Sequence, residues 1–72
     1  METTETIAIV VNGERKELPG GTTVARLLEI LGLTAGRVAV ERNQKILPRA
    51  EWAATPVATG DRYEIVQFVG GG

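Results

Sequence analysis

Hydrophobic residues recur with two different periods along this chain, and the changes of period mark out its elements. Thr6–Val11 is dense in β-branched residues and predicts a strand. Asn12-Gly13 follows, a dipeptide suited to a type I′ turn, in which both central residues need positive φ. Glu14–Leu18 reads as the return strand, mostly polar and anchored by Leu18, and Pro19-Gly20-Gly21 breaks it. The period then lengthens. Val24, Leu27, Leu28 and Leu31 fall at i, i+3, i+4 and i+7, one apolar face of a short helix. Thr22 or Thr23 can cap its start with a hydroxyl, and Gly32 stands where a helix ends in the left-handed conformation. Strand spacing returns in Arg37–Glu41 through Val38 and Val40. Arg42-Asn43-Gln44 reads as a turn, Lys45–Leu47 as a short strand closed by Pro48, and Pro48–Trp52 as one tight helical turn that packs Trp52 on the core. Thr55–Thr59 is loop, Gly60-Asp61 a turn, and Arg62–Val69 the last and longest strand. Met1–Glu5 has no pattern and is expected to fray.

The order strand, strand, helix, strand, short strand, strand suits an α+β fold of the β-grasp type: a mixed sheet with one helix packed on one face. The helix is expected to cross that face and return the chain beside the first strand. Ile7, Ile9, Val38, Ile46 and Ile65 are the strand residues expected to meet it. Residues 1–69 form a single domain in this reading, and residues 70–72 a flexible glycine tail.

Length and composition narrow the function. A chain of 72 residues makes one domain. Such a domain buries only about 60% of its unfolded surface, so its core must be dense. Cysteine is absent, which removes disulfides and thiolate chemistry. Histidine is absent too, and with it the commonest general base and neutral metal ligand. The carboxylates are scattered singly, which disfavours a hard-cation site. Net charge is −1 with dispersed Arg and Lys, so no basic patch for nucleic acid is present. The longest apolar run, Ile7–Val11, is too short to cross a bilayer. The acidic, polar N-terminus is unlike a secretory signal. A soluble cytoplasmic protein that is not itself an enzyme is the expectation.

Gly70-Gly71-Gly72 has two readings. It is a loose end, as termini commonly are, or a working arm. Glycine has no Cβ, so such a backbone can enter a narrow channel, and three extended residues reach roughly 10 Å. A carboxylate on Gly72 at that tip could enter another enzyme's active site. Activation as an acyl-adenylate would let a sulfur or nitrogen nucleophile displace AMP. The chain has no base, metal site or nucleophile for those steps, so a partner would supply them.

The last strand places Tyr63, Ile65, Gln67 and Val69 on one face and Glu64, Val66 and Phe68 on the other. One helix covers only one face. Val66 and Phe68 are therefore read as facing outwards, a docking surface beside the tail; the alternative is that a loop covers them. Trp52 reads as a core or half-buried anchor rather than a stacking platform. Arg49 either grips a phosphate or a partner's carboxylate or is a solvated turn end. Lys16 and Lys45 are solubility residues or conjugation sites.

The stretch Ala39-Val40-Glu41-Arg42-Asn43-Gln44-Lys45-Ile46-Leu47-Pro48-Arg49 leading to Trp52, the Gly60-Asp61 turn, the strand Tyr63–Val69 and the terminal Gly71-Gly72 resemble ThiS-type sulfur carriers. These are ubiquitin-like proteins of thiamine biosynthesis. The resemblance covers nearly all the chain after the first six residues, and Asn43, Ile46, Pro48, Arg49 and Trp52 are its core. It implies that a ThiF-type enzyme adenylates Gly72 with ATP and Mg²⁺, which this chain does not itself bind. It further implies that a persulfide donor converts the adenylate to a thiocarboxylate, and that a ThiG-type thiazole synthase takes the sulfur. Gly71 and Gly72 match the family's diglycine. Gly70 stands where alanine is common, and the extension Met1–Glu5 is a second departure. Rival destinations share the chemistry: a MoaD-like carrier for molybdopterin, or carriers for cysteine or transfer-RNA thiolation. A ubiquitin-like modifier joined to lysines and a plain interaction module are the other classes.

Overall fold

The computed structural model describes residues 5–34 and 36–68. Its elements are β1 (Thr6–Val11), β2 (Glu14–Pro19), α1 (Val24–Ile30), β3 (Arg37–Arg42), β4 (Lys45–Ile46), a 3-10 helix (Arg49–Ala54) and β5 (Arg62–Phe68). The five strands form one sheet in the order β2-β1-β5-β3-β4. β1 and β5 run parallel and the other neighbours antiparallel. With α1 packed on one face, this is a β-grasp.

The first hairpin turn and the two ends of α1 are made by residues suited to them. Asn12 and Gly13 close β1 onto β2 at φ of 51° and 85°, as a type I′ turn requires. Of the two threonines before α1, Thr23 is the cap: its hydroxyl accepts the Arg26 N–H at 3.2 Å. Thr22 donates its hydroxyl to the Pro19 carbonyl instead. Leu31 closes the helix and Gly32 follows at a φ of 76°.

The strand beside β1 is β5, not the one that follows the helix. β3 lies one place further out, where it gives one edge to β5 and the other to β4. β5 is the longest strand, and its inward residues Tyr63 and Ile65 are both buried, so it fills the middle of the core.

Ile9 and Val11 of β1, Leu18 of β2, Val40 of β3, and Tyr63 and Ile65 of β5 meet Val24, Leu27 and Leu28 of α1, with Trp52 and Val57 closing one side. Ile7 and Val38 pack against this cluster part-buried. Ile46 does not reach it and is 68% exposed. The two-residue turn at Asn43-Gln44 pairs Arg42 with Lys45 and Glu41 with Ile46. Val40 points inwards, so Glu41 and its partner Ile46 point outwards.

Candidate functional site: the exit of the last strand

The start of β5 is organised by one carboxylate. Asp61, 5% exposed, accepts hydrogen bonds from Arg42 Nε at 3.0 Å, Asn43 Nδ2 at 3.1 Å, the Ala58 N–H at 2.9 Å and the Tyr63 hydroxyl at 2.9 Å. Burial pushes its carboxyl pKa up, but these four donors outweigh that and hold it below the usual range. The Tyr63 hydroxyl is pushed up to about 12 by burial and by its bond to Asp61. The Arg42 guanidinium is raised by the same carboxylate. Asn43 closes the ring: its Oδ1 accepts the Arg62 N–H at 2.9 Å. That staple holds the β3–β4 turn, where Asn43 and Gln44 sit at φ of 51° and 73° without a glycine.

A second staple lies one turn of chain away. β1 pairs with β5 only at Arg62 and Tyr63. Beyond that point the Asn12 side chain stands in for β1 backbone. Its Nδ2 donates to the Ile65 carbonyl at 3.0 Å and its Oδ1 accepts the Ile65 N–H at 2.8 Å.

The far end of β5 is different. Val66 and Phe68 are 52% and 53% exposed on the face away from α1. They pair with Ala39 and Arg37 of β3, and Ile46 adds a third large apolar side chain to this face. Gly36 sits against the Phe68 carbonyl: a Cβ there would lie 3.3 Å from that oxygen, at a φ of +80°. Gly70, Gly71 and Gly72, and with them the tail and its carboxylate, lie outside the described residues, as does Val69.

On the opposite face, a cleft of about 160 Å³ opens between α1 and the 3-10 helix, floored by Leu28, Leu33 and Val38 and reaching Gly36. Trp52 forms one wall; its Nε1 donates to the Leu47 carbonyl at 3.0 Å. Arg49 lies over the Trp52 ring, 5.6 Å from its centroid. Trp52 is thus a core anchor, as read from the sequence. Lys16 pairs with Glu14 at 3.4 Å, and Lys45 is exposed. Among the described residues, no group of three or more His, Cys, Asp or Glu could hold a metal. No helix among them is long and apolar enough to cross a membrane.

Three residues of this region escape a sequence reading. Asp61 reads as a turn residue, because two of its four donors, Arg42 and Asn43, come from a distant segment. Asn12 reads as a turn former and also extends a strand. Ile46 reads as core, although counting register through the two-residue turn would have placed it outside.

The family model of the ThiS family matches residues 9–72. A thiazole synthase of Paramagnetospirillum magneticum is 45% identical over 64 residues, which are 89% of this chain and 20% of that protein. The chain thus spans about a fifth of the length of that relative. The sulfur carrier protein ThiS of Escherichia coli is 36% identical over 64 residues, 89% of this chain and 97% of that protein. The crystal structure of a thiamine biosynthesis protein (ThiS) from Geobacter metallireducens superposes with a TM-score of 0.74 at 35% identity, covering 92% of this chain and 100% of that one.

Proposed function

The chain belongs to the ThiS family, and on that premise we propose that it carries sulfur on a free carboxylate of Gly72 for assembly of the thiazole of thiamine. The observation that carries this reading is a family match that runs through the diglycine to residue 72. The likeness to thiazole synthases supports an enzyme of that kind as the acceptor.

The chemistry belongs to the partners. A ThiF-type enzyme binds ATP and Mg²⁺, a Gly72 carboxylate oxygen attacks the α-phosphorus, and pyrophosphate leaves. The outer sulfur of a persulfide donor attacks the acyl carbon and AMP leaves. A second thiol then attacks the donor's own sulfur, forming a disulfide and releasing the thiocarboxylate. With no Cys or His of its own, the carrier contributes the acyl group and the means to present it. Loading that consumes ATP supports a cytoplasmic location. Val66 and Phe68, on the outer face beside the strand exit, are the grip for the loading enzyme.

The test is to incubate the protein with a ThiF-type enzyme, ATP and a persulfide donor, and to weigh it intact. The expected gain is one oxygen replaced by one sulfur, abolished by deleting Gly72. An unchanged mass beside a demonstrably active enzyme overturns the reading.

A further inference from the structure

Asn12 carries more of the fold than a turn residue needs to. Its backbone N–H donates to the Tyr63 carbonyl at 2.9 Å. Its side-chain amide takes both backbone groups of Ile65, the N–H at 2.8 Å and the carbonyl at 3.0 Å. The residue that follows is Gly13, exposed with Asn12 at the tip of the hairpin, with open space where a Cβ would stand. Asparagine before glycine has a reaction of its own. With no Cβ beside it, the glycine nitrogen can approach the asparagine Cγ closely. Asn43 is the other asparagine of the chain, and Gln44, which bears a side chain, follows it.

We propose that Asn12-Gly13 is a site of spontaneous modification: opening of the clasp on Ile65 lets Asn12 convert to aspartate or isoaspartate, and the product cannot close the clasp again. The Gly13 nitrogen gives its proton to solvent base and attacks the Asn12 Cγ. The Cγ–Nδ2 bond breaks, and Nδ2 takes a proton from water and leaves as ammonia. One water then opens the resulting five-membered imide at either carbonyl. One opening gives aspartate, and the other gives isoaspartate, in which the main chain runs through Cγ. The net change is one water consumed and one ammonia released. The leaving Nδ2 is the donor to the Ile65 carbonyl, so the reaction requires that bond to break, and the closed clasp protects Asn12.

The product lacks what the clasp needs. An ionised aspartate only accepts; it can serve the Ile65 N–H but sets a carboxylate oxygen against the Ile65 carbonyl. Isoaspartate adds a carbon to the main chain of a two-residue turn whose flanks pair Val11 with Glu14. The β1–β5 ladder covers only Arg62 and Tyr63, so without the clasp Ile65 is tied to the sheet through Val40 of β3. The change runs one way, and it loosens the strand that leads to the tail.

The test incubates the full chain, warm and at mildly alkaline pH, in native buffer and in denaturant. Peptide mass mapping then follows the exchange of an amide for an acid at Asn12 and Asn43. Conversion is expected at Asn12 and not at Asn43, about tenfold slower in the folded chain, a factor of the size that two hydrogen bonds supply. Gly13→Ala stops it in denaturant, where the strain of a side chain at a φ of +85° plays no part. Asn12→Asp, which supplies one product directly, lowers the denaturation midpoint and quickens hydrogen exchange at the Ile65 amide. Equal rates in the two buffers would show that the clasp gates nothing, and full protection of the folded chain would show that it does not open; either overturns the proposal. So do an Asn12 that survives denaturant unchanged and an Asn12→Asp variant as stable as the wild type. These readouts are mass and stability, so their failure leaves the carrier reading standing.

Discussion

The two ends of β5 are built on opposite principles. At its start, Asp61 and Tyr63 are buried and the carboxylate is held by four donors from four other residues. Asn12 then holds the Ile65 N–H and carbonyl with one side-chain amide. At its finish, Val66 and Phe68 are half exposed, and Phe68 is reached through the ladder with β3. Polar groups, fully satisfied, fix the register at the end remote from the tail. Apolar groups, left in water, lie at the end from which the tail departs. The difference separates two properties that one strand could have confounded: stability is set at Asp61, and on the reading proposed above recognition is offered at Phe68.

The largest expected effect attacks the buried end. Asp61→Asn removes the countercharge that faces the Arg42 guanidinium and sets an amide N–H against the donors around it. It should cost about 3 kcal/mol, read by denaturant unfolding. Phe68→Glu should stay within about 0.5 kcal/mol of wild type while raising the KM for loading. If Phe68→Glu unfolds the domain as Asp61→Asn does, the contrast between the ends is wrong.

Asn12→Gly is the next in size. It keeps the positive φ of the turn but strips Ile65 of two hydrogen bonds, for about 1–2 kcal/mol. Hydrogen exchange at the Ile65 amide should quicken more than at the Val40 amide.

Acid and alkali should loosen the same end. The folded-state pKa of Asp61 is depressed, so its contribution is present above its ordinary 3.8 and is lost as pH falls through the folded value. The pKa of Tyr63 is raised, so its contribution is present below its ordinary 10.0 and is lost as pH rises towards about 12. Tyr63→Phe should flatten the alkaline arm of the stability profile and leave the acid arm. A profile with both arms unchanged would mean that Tyr63 is not the group titrating.

The smallest effect sharpens the account of the staple. Gln44 adopts a φ of 73° in a turn that favours glycine. Gln44→Gly should therefore be neutral or stabilising by about 0.5 kcal/mol, measured as a shift in denaturation midpoint. Destabilisation instead would show that the Gln44 side chain contributes more than its backbone costs.

Local structure was legible from the sequence because it depends on near neighbours. Asn12-Gly13 announced the first hairpin, the spacing of Val24, Leu27 and Leu28 announced α1, and the alternation along β5 put Val66 and Phe68 on the exposed face. What escaped depended on distant residues. The place of β5 between β1 and β3 is a choice among pairings, which periodicity does not rank. The Asp61 centre joins segments that meet only in the folded chain, and nothing local distinguishes that aspartate from any other turn residue. Ile46 reads as a strand residue that meets the helix, and only its pairing with the outward-facing Glu41 across the Asn43-Gln44 turn sets it on the other face.

The central claim concerns one atom on one residue, and fragmentation mass spectrometry of the loaded protein tests it most directly. After incubation with a ThiF-type enzyme, ATP and a persulfide donor, the account predicts sulfur only in fragments that contain Gly72, and its loss on transfer to a thiazole synthase. Sulfur elsewhere in the chain, or a terminal fragment that stays unmodified while thiazole is formed, would contradict it.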